Sequence, residues 1–158
     1  MKKSIRFAKE TDVKFIYEMI KELAIYEKAE DQVNTSLEQI RADGFGETAY
    51  YKAVILELED APVGMALFYN RYSTWKGKSL YLEDLYIKPE SRANGLGMMA
   101  MQWLAQYALE TKCHRFEWQV LDWNEPSINF YKSLNADLDP EWINCRLEGE
   151  LIKELANR

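Results

Sequence analysis

Apolar side chains in the first third of the chain recur at helical spacing. Residues 4–7 predict a short first strand, and Thr11 after it is typical of a helix N-cap. We expect an amphipathic helix over residues 12–28, because its apolar side chains fall three and four positions apart. A second, short helix is predicted to begin with Ser36 as its N-cap and to end near Asp43.

Three strand-like runs follow, and they are rich in aromatic and β-branched residues. They cover residues 49–58, 63–72 and 80–87, with short turns between them. Such a series indicates an antiparallel meander, in which each strand pairs with the next.

The last part of the chain alternates helices with strands. A helix is predicted from about Gly95 to Thr111, and Asn124 is typical of the N-cap of another helix. Strands are predicted over residues 116–121 and 145–151. The order β-α-α-β-β-β-α-β-α-β places the chain in the α/β (α+β) class, with a mixed, mostly antiparallel central sheet flanked by helices.

Composition agrees with one folded domain over residues 1–158, because 47% of the residues are apolar and 29% are charged. No apolar run approaches the roughly 20 residues that a membrane span needs. The basic N-terminus lacks the apolar stretch of a signal peptide, so a cytoplasmic protein without a membrane partner is expected. The net charge of −6 disfavours nucleic acid as a partner and attracts small cations.

Cysteine and histidine are scarce, which limits the available chemistry. Cys113, Cys145 and His114 are too few for a four-ligand zinc site, and no metal is expected. Cys113 and His114 are sequence neighbours whose side chains diverge, so a reactive cysteine–histidine pair is disfavoured.

The most informative stretch is the glycine turn of residues 92–97, Arg-Ala-Asn-Gly-Leu-Gly, between a strand and a helix. Glycines let backbone N–H groups approach an anion, and the following helix directs its positive dipole end to the same place. These features predict a pyrophosphate site, with Arg92 as a charged supplement.

A dinucleotide fingerprint is the rival interpretation, since Gly95 and Gly97 are followed by Ala100 at its spacing and Glu117 lies about 20 residues on. That fingerprint requires its first glycine directly after the strand, within repeated βαβ units. Here seven residues separate Ile87 from Gly95 and a meander precedes them, which disfavours nicotinamide cofactors.

Arg-x-x-Gly-x-Gly after such a strand is similar to the acetyl-CoA pyrophosphate loop of the GNAT superfamily of N-acetyltransferases. Residues 43–46, 81–84 and 123–132 resemble the spermidine/spermine acetyltransferases, whereas residues 73–77 and 121–124 resemble the thialysine acetyltransferases. Motifs of both branches are present, so the branch stays open. Two departures are Ala93, where these relatives usually have glycine, and a shorter stretch before Gly64.

The resemblance implies a GNAT fold, acetyl-CoA as co-substrate, direct acetyl transfer in a ternary complex, and a homodimer with acceptor sites near the subunit interface. It implies that acetyl-CoA contacts Leu85, Tyr86, Ile87, Arg92, Ala93, Asn94, Gly95, Leu96, Gly97, Met98, Asn124, Ser127 and Tyr131. It places a small cationic amine near Tyr26, Glu27, Trp75, Glu83 and Asp84. The loop of Trp75 is equally a candidate dimer contact.

Amine acetylation requires a base for the ammonium, whose pKa is near 10.4, and an acid for the departing thiolate. Glu83 is the expected proton relay, through water, with Asp84 holding the cation. Strand alternation predicts that only one of these two carboxylates faces the cleft. Tyr131 is the expected acid, and the spacing of Asn124, Ser127 and Tyr131 places them on one helical face.

Two other functions fit the same motifs. A non-catalytic acetyl-CoA sensor would keep the glycine turn and lose the proton-transfer residues, so the presence of both Glu83 and Tyr131 disfavours it. A protein lysine or N-terminal acetyltransferase would need a peptide groove. Among small acceptors, an amino acid such as thialysine needs a cation for its α-carboxylate, for which Arg71, Lys76 and Lys78 are candidates, whereas a polyamine does not.

Overall fold

The computed structural model describes residues 1–158 and contains five strands and five α-helices. In chain order these are β1 (Lys3–Phe7), α1 (Val13–Tyr26), α2 (Leu37–Phe45), β2 (Lys52–Leu58), β3 (Ala61–Ser73), β4 (Gly77–Ile87), α3 (Leu96–Glu110), β5 (Arg115–Trp118), α4 (Glu125–Ser133) and α5 (Glu150–Ala156). None of these helices has the length and apolar character needed to cross a membrane.

The five strands form one sheet in the order β1-β2-β3-β4-β5. The first four strands pair antiparallel with their neighbours, and β5 pairs parallel with β4. The predicted α+β class with a mixed, mostly antiparallel sheet is therefore confirmed. β5 reaches its parallel position through α3, as a parallel pair requires a crossover.

The compact unit Met1–Gln119 contains the whole sheet together with α1, α2 and α3. One sheet face packs against α1 and α2 through a buried apolar cluster of Val13, Ile16, Met19, Ile40, Ala53, Ile55, Met65, Leu67 and Tyr86. Aromatic side chains pack on the other face, where Phe68 of β3 lies 6.1 Å from Trp103 of α3, ring centre to ring centre. The residues of β3 alternate between these two faces.

The start of α1 is anchored to the sheet by charge. Asp12, and not the predicted Thr11, is the N-cap of α1, because a 3₁₀ turn at Glu10–Asp12 precedes the helix. Arg6 of β1 donates to both carboxylate oxygens of Asp12, at 2.7 and 3.0 Å, and to Glu57 of β2. The Arg6 guanidinium holds the pKa of Asp12 below its usual range. This bidentate pair fixes where the helix begins.

The second unit, residues 120–158, contains α4 and α5. The predicted strand over residues 145–151 is wrong, because no strand forms there and α5 begins at Glu150. Within this range only Cys145 and Leu147 alternate with polar residues before Gly149, whose φ is 55°, interrupts the pattern. The residues of α5 are mostly good helix formers, and their local preference prevails.

Candidate active site

An extra residue in β4 brings two carboxylates to one face of the sheet. Leu67 of β3 is paired with Asp84 and Phe68 with Leu82, so Glu83 is left without a partner on β3. This is a β-bulge, and it interrupts the alternation of side chains along the strand. The Glu83 carboxylate accepts a hydrogen bond of 2.8 Å from Tyr69, which shares a face with Leu67.

The expectation that only one of Glu83 and Asp84 faces the cleft is therefore wrong. Asp84 lies opposite Leu67, on the face that α1 and α2 cover, and Glu83 is hydrogen-bonded on that same face. The physical reason is the bulge, which a regular strand would not contain.

Glu27 joins these two carboxylates from the end of α1, where it is the C-cap residue. Burial, followed by the charges of Glu83 and Glu27, raises the pKa of Asp84 to about 7. Burial and the Glu83 charge also raise the pKa of Glu27. The C-terminal end of a helix carries partial negative charge, which adds to the field of these residues. We call Glu27, Glu83 and Asp84 the acid cluster, a site suited to a cation.

Tyr69 was missed by the sequence interpretation, although it contacts the acid cluster directly. Its hydroxyl donates to Glu83, and burial with this hydrogen bond raises the pKa of Tyr69. The Tyr69 ring lies 5.4 Å from that of Tyr81, its partner across β3 and β4. A cross-strand contact of this kind depends on register, for which a single sequence carries no local signal.

The glycine turn leads into α3 through two residues with left-handed backbone. Ala93 has φ 63° and Gly95, the N-cap of α3, has φ 74°. Asn94 lies between them, where its side chain donates to the backbone oxygens of Ser91 and Arg92. Nζ of Lys3 in β1 donates to the backbone oxygen of Asn94 at 2.8 Å. This conformation, at the N-terminus of a 15-residue helix, is of the kind that favours an anion.

Arg92 connects this turn to the end of α1. Its guanidinium carbon lies 5.4 Å from the ring centres of both Tyr26 and Tyr86. Its Nε donates to the Ile87 oxygen at 2.9 Å. The structure thus brings together Tyr26, Tyr86 and Arg92, which the resemblance assigns to two different ligands.

Residues 83–87 of β4 form an edge without a strand partner on the side away from β3, because β5 ends at Trp118 opposite Leu82. Lys88 donates its N–H to Val63 of β3. Since backbone groups alternate in direction along a strand, those of Leu85 and Ile87 point to the unpaired side. We call this segment the β4 edge.

The remaining cofactor candidates lie in the second unit, on α4. Asn124 is its N-cap and accepts a hydrogen bond from the backbone N–H of Ser127 at 3.4 Å, as predicted for a helix start. Ser127 and Tyr131 are four positions apart and share one face of α4. Both side chains are half-buried.

Trp75 lies away from the acid cluster of its own chain. It occupies the turn between β3 and β4 and is 79% exposed. Six residue pairs separate this turn from the Leu67–Asp84 pair, about 20 Å along the hairpin. The structure therefore does not bring Trp75 together with Glu27, Glu83 or Asp84 of the same chain.

Comparison with known proteins identifies the class of this chain. Residues 13–136 match the model of the acetyltransferase (GNAT) family, so the chain belongs to that family and is an acetyltransferase. It is 46% identical to the thialysine N-epsilon-acetyltransferase of Bos taurus, with 98% of this chain and 97% of that protein aligned.

Two further similarities extend the comparison. The chain is 35% identical to the spermidine/spermine N(1)-acetyltransferase-like protein 1 of Homo sapiens, over 96% of this chain and 23% of that longer protein. The solved structure of an integron cassette protein from the mobile metagenome of V. cholerae superposes with a TM-score of 0.81, at 24% identity and over 100% and 99% of the two chains. That likeness shows the fold.

Replacing Asp84 by Asn should stabilise the protein at alkaline pH. The folded state holds the pKa of Asp84 at about 7, above its ordinary 3.8, so the proton bound there stabilises the fold at low pH and that stabilisation is lost as pH rises to about 7. At pH 8 the free energy of unfolding of Asp84→Asn should exceed that of the wild type by roughly 2 kcal/mol, so the variant should unfold at a higher urea concentration. This difference should shrink toward pH 4.

Asp31→Asn is the control for that measurement, because Asp31 is exposed and lies outside the acid cluster. Urea unfolding of the three proteins at several pH values provides the comparison. A difference between Asp84→Asn and the wild type that stays constant with pH would contradict the raised pKa.

Replacing Ala93 by Gly should also stabilise the protein, by about 0.5–1 kcal/mol, since a left-handed backbone costs alanine more than it costs glycine. Ala105→Gly, at an exposed position within α3, is the matched control and should lower stability by about 1 kcal/mol. Thermal unfolding measures both. If both variants lost stability to the same extent, the strain at Ala93 would be refuted.

Proposed function

We propose that this acetyltransferase moves an acetyl group from acetyl-CoA to the side-chain amine of a small amino acid of the thialysine or lysine type. The observation that carries the proposal is the acid cluster of Glu27, Glu83 and Asp84, because two of its members, Glu83 and Asp84, lie on the strand that also provides the β4 edge. The cation site suits the amine, and the unpaired strand edge suits the extended arm of the cofactor. Both features meet on one strand.

Acetyl-CoA would be held by backbone more than by side chains. Its pyrophosphate fits the concavity of residues 93–98, where helix N–H groups and positive φ angles favour an anion, with Arg92 adding a charge. The amide groups of its pantetheine arm would pair with the backbone of Leu85 and with the N–H of Ile87 along the β4 edge, as an added strand does, since the Ile87 oxygen already accepts from Arg92. Asn124 and Ser127 on α4 are proposed as further contacts.

The acid cluster would bind the acceptor amine and remove its proton. Glu83, through a water molecule, is the proposed relay, and Asp84 and Glu27 would balance the cation. A bound cation favours the ionised form of Asp84 and would lower its pKa from about 7. The hydroxyl of Tyr69 would hold the Glu83 carboxylate in place.

In the transfer step, the neutral amine nitrogen attacks the thioester carbonyl carbon and a C–N bond forms. The carbonyl oxygen takes up negative charge, which a backbone N–H of the β4 edge would stabilise. Collapse of this intermediate breaks the C–S bond. The departing thiolate would take its proton from Tyr131, while the amine proton passes to the acid cluster.

The thialysine branch is favoured over the polyamine branch by the extent of the similarity. The Bos taurus thialysine enzyme is 46% identical over 98% of this chain, whereas the human spermidine/spermine acetyltransferase-like protein is 35% identical over 96% of it. A homodimer is also proposed, on the resemblance of the sequence motifs, with the exposed Trp75 turn as a candidate contact between copies.

The test is CoA release from acetyl-CoA with a panel of thialysine, lysine, spermidine, spermine and a lysine-containing peptide. Turnover is expected with thialysine and at a lower rate with lysine. Turnover with the polyamines alone would overturn the acceptor assignment. Activity on the peptide alone would indicate a protein acetyltransferase instead.

Tyr131→Phe should lower kcat by roughly tenfold to a thousandfold and leave acetyl-CoA binding intact, because it removes one acid group and little else. Tyr72→Phe is the matched control, since Tyr72 is 77% exposed and should tolerate the change. Steady-state kinetics and calorimetric titration with acetyl-CoA separate the two effects. Unchanged turnover in Tyr131→Phe would remove Tyr131 from the mechanism.

A further inference from the structure

A row of charged side chains extends the sheet face beyond the acid cluster. Arg71 of β3 is paired with Ser79 of β4, which in turn is paired with Arg115 of β5. The next pair on that face, two residues closer to the acid cluster, contains Tyr81. This residue is paired with Tyr69 of β3 and with Glu117 of β5. Directly opposed residues of paired strands share a face, so all of these side chains lie on the face that carries Glu83.

Two arginines share one carboxylate at this place. Nη1 of Arg71 lies 3.7 Å from Oε2 of Glu117, and Nε of Arg115 lies 3.1 Å from Oε1 of the same residue. Neither Nε of Arg115 nor Oε2 of Glu117 has a hydrogen-bond partner, although both atoms are buried. The group therefore has an excess of one positive charge, and Nε of Arg115 retains hydrogen-bond donor capacity, as a site for an anion does.

The two tyrosines connect this arginine pair to the acid cluster. The Arg71 guanidinium carbon lies 4.6 Å from the centre of the Tyr81 ring, and the Tyr81 ring packs on Tyr69, whose hydroxyl reaches Glu83. The face thus runs from carboxylates, over two aromatic rings, to guanidinium groups.

The two charged ends of this face lie on opposite sides of the tyrosine pair. Arg71 lies two residues from Tyr69, and Glu83 lies two residues from Tyr81, so each charged end is about 7 Å along its strand from the tyrosine pair. Arg71 leans back over Tyr81, which shortens the gap between the guanidinium and the acid cluster. An extended chain of six bonds, from a side-chain amine to an α-carboxylate carbon, spans roughly 7 Å. The backbone positions of Arg71 and Glu83 are about 14 Å apart, so both side chains must reach over the tyrosine rings toward such a ligand.

We propose that Arg71, with Arg115 held beside it by Glu117, binds the α-carboxylate of the amino-acid acceptor whose side-chain amine lies at the acid cluster. This assignment rests on the proposed function and names the residue that selects an amino acid over a diamine. The Tyr69 and Tyr81 rings provide the apolar surface between the two ends. A diamine would bring its second ammonium to the arginines without a carboxylate to offset the repulsion between like charges.

The experiment compares two acceptors that differ only in the carboxylate: thialysine and its decarboxylated diamine, 2-(2-aminoethylthio)ethylamine. Arg71→Ala should raise the KM for thialysine by roughly 10- to 100-fold, as expected for loss of a charge-assisted contact. Its kcat/KM for the diamine should stay the same or rise. Arg71→Lys keeps the charge and should recover part of the thialysine KM.

Arg41→Ala is the control, since this partly exposed arginine pairs with Glu10 on a different part of the molecule. Circular dichroism and thermal unfolding of the Arg71 variants exclude a folding defect, which is not expected because the Arg71 side chain is 52% exposed. Equal changes with both acceptors, or none with thialysine, would overturn the assignment of Arg71. Wild-type protein that acetylates neither acceptor would instead overturn the proposed function itself.

Discussion

The bulge at Glu83 is the constraint on which the rest of the site depends. One extra residue in β4, opposite the Leu67–Phe68 step of β3, turns Glu83 and Asp84 to the same face. Without it, Glu83 would lie on the opposite face, toward α3, and lose its hydrogen bond from Tyr69. The same strand then continues as an edge without a partner toward β5. A local irregularity thereby joins a cation site to an extended backbone edge, two features that a regular strand would not combine.

Charge is separated along this face, although the chain as a whole is acidic with a net charge of −6. Carboxylates gather at the C-terminal end of α1, where burial and mutual repulsion make full ionisation of Asp84 unfavourable. Guanidinium groups gather farther along β3 and β5, around Glu117. A molecule with a cation at one end and an anion at the other is oriented by such an arrangement, whereas the net charge alone attracts any cation.

Periodicity and turn chemistry predicted most of the fold, because helices and paired strands leave local patterns in the sequence. The N-caps Ser36 and Asn124 and the glycine turn were predicted from the residues themselves. The prediction of a strand over residues 145–151 was wrong because a short alternation of apolar and polar residues is followed directly by good helix formers. The bulge, and with it Tyr69 and the Arg71–Glu117–Arg115 group, could not be predicted, because cross-strand register is set by pairing between distant segments.

The β4 edge has a consequence for solubility. An unpaired strand offers its N–H and C=O groups to any other chain, and natural proteins protect such edges with charged side chains. Arg92 is such a residue, because its Nε donates a hydrogen bond to the backbone oxygen of Ile87 and places a positive charge at this edge. A charged side chain at this position disfavours the addition of a strand from another copy, and with it aggregation through this edge.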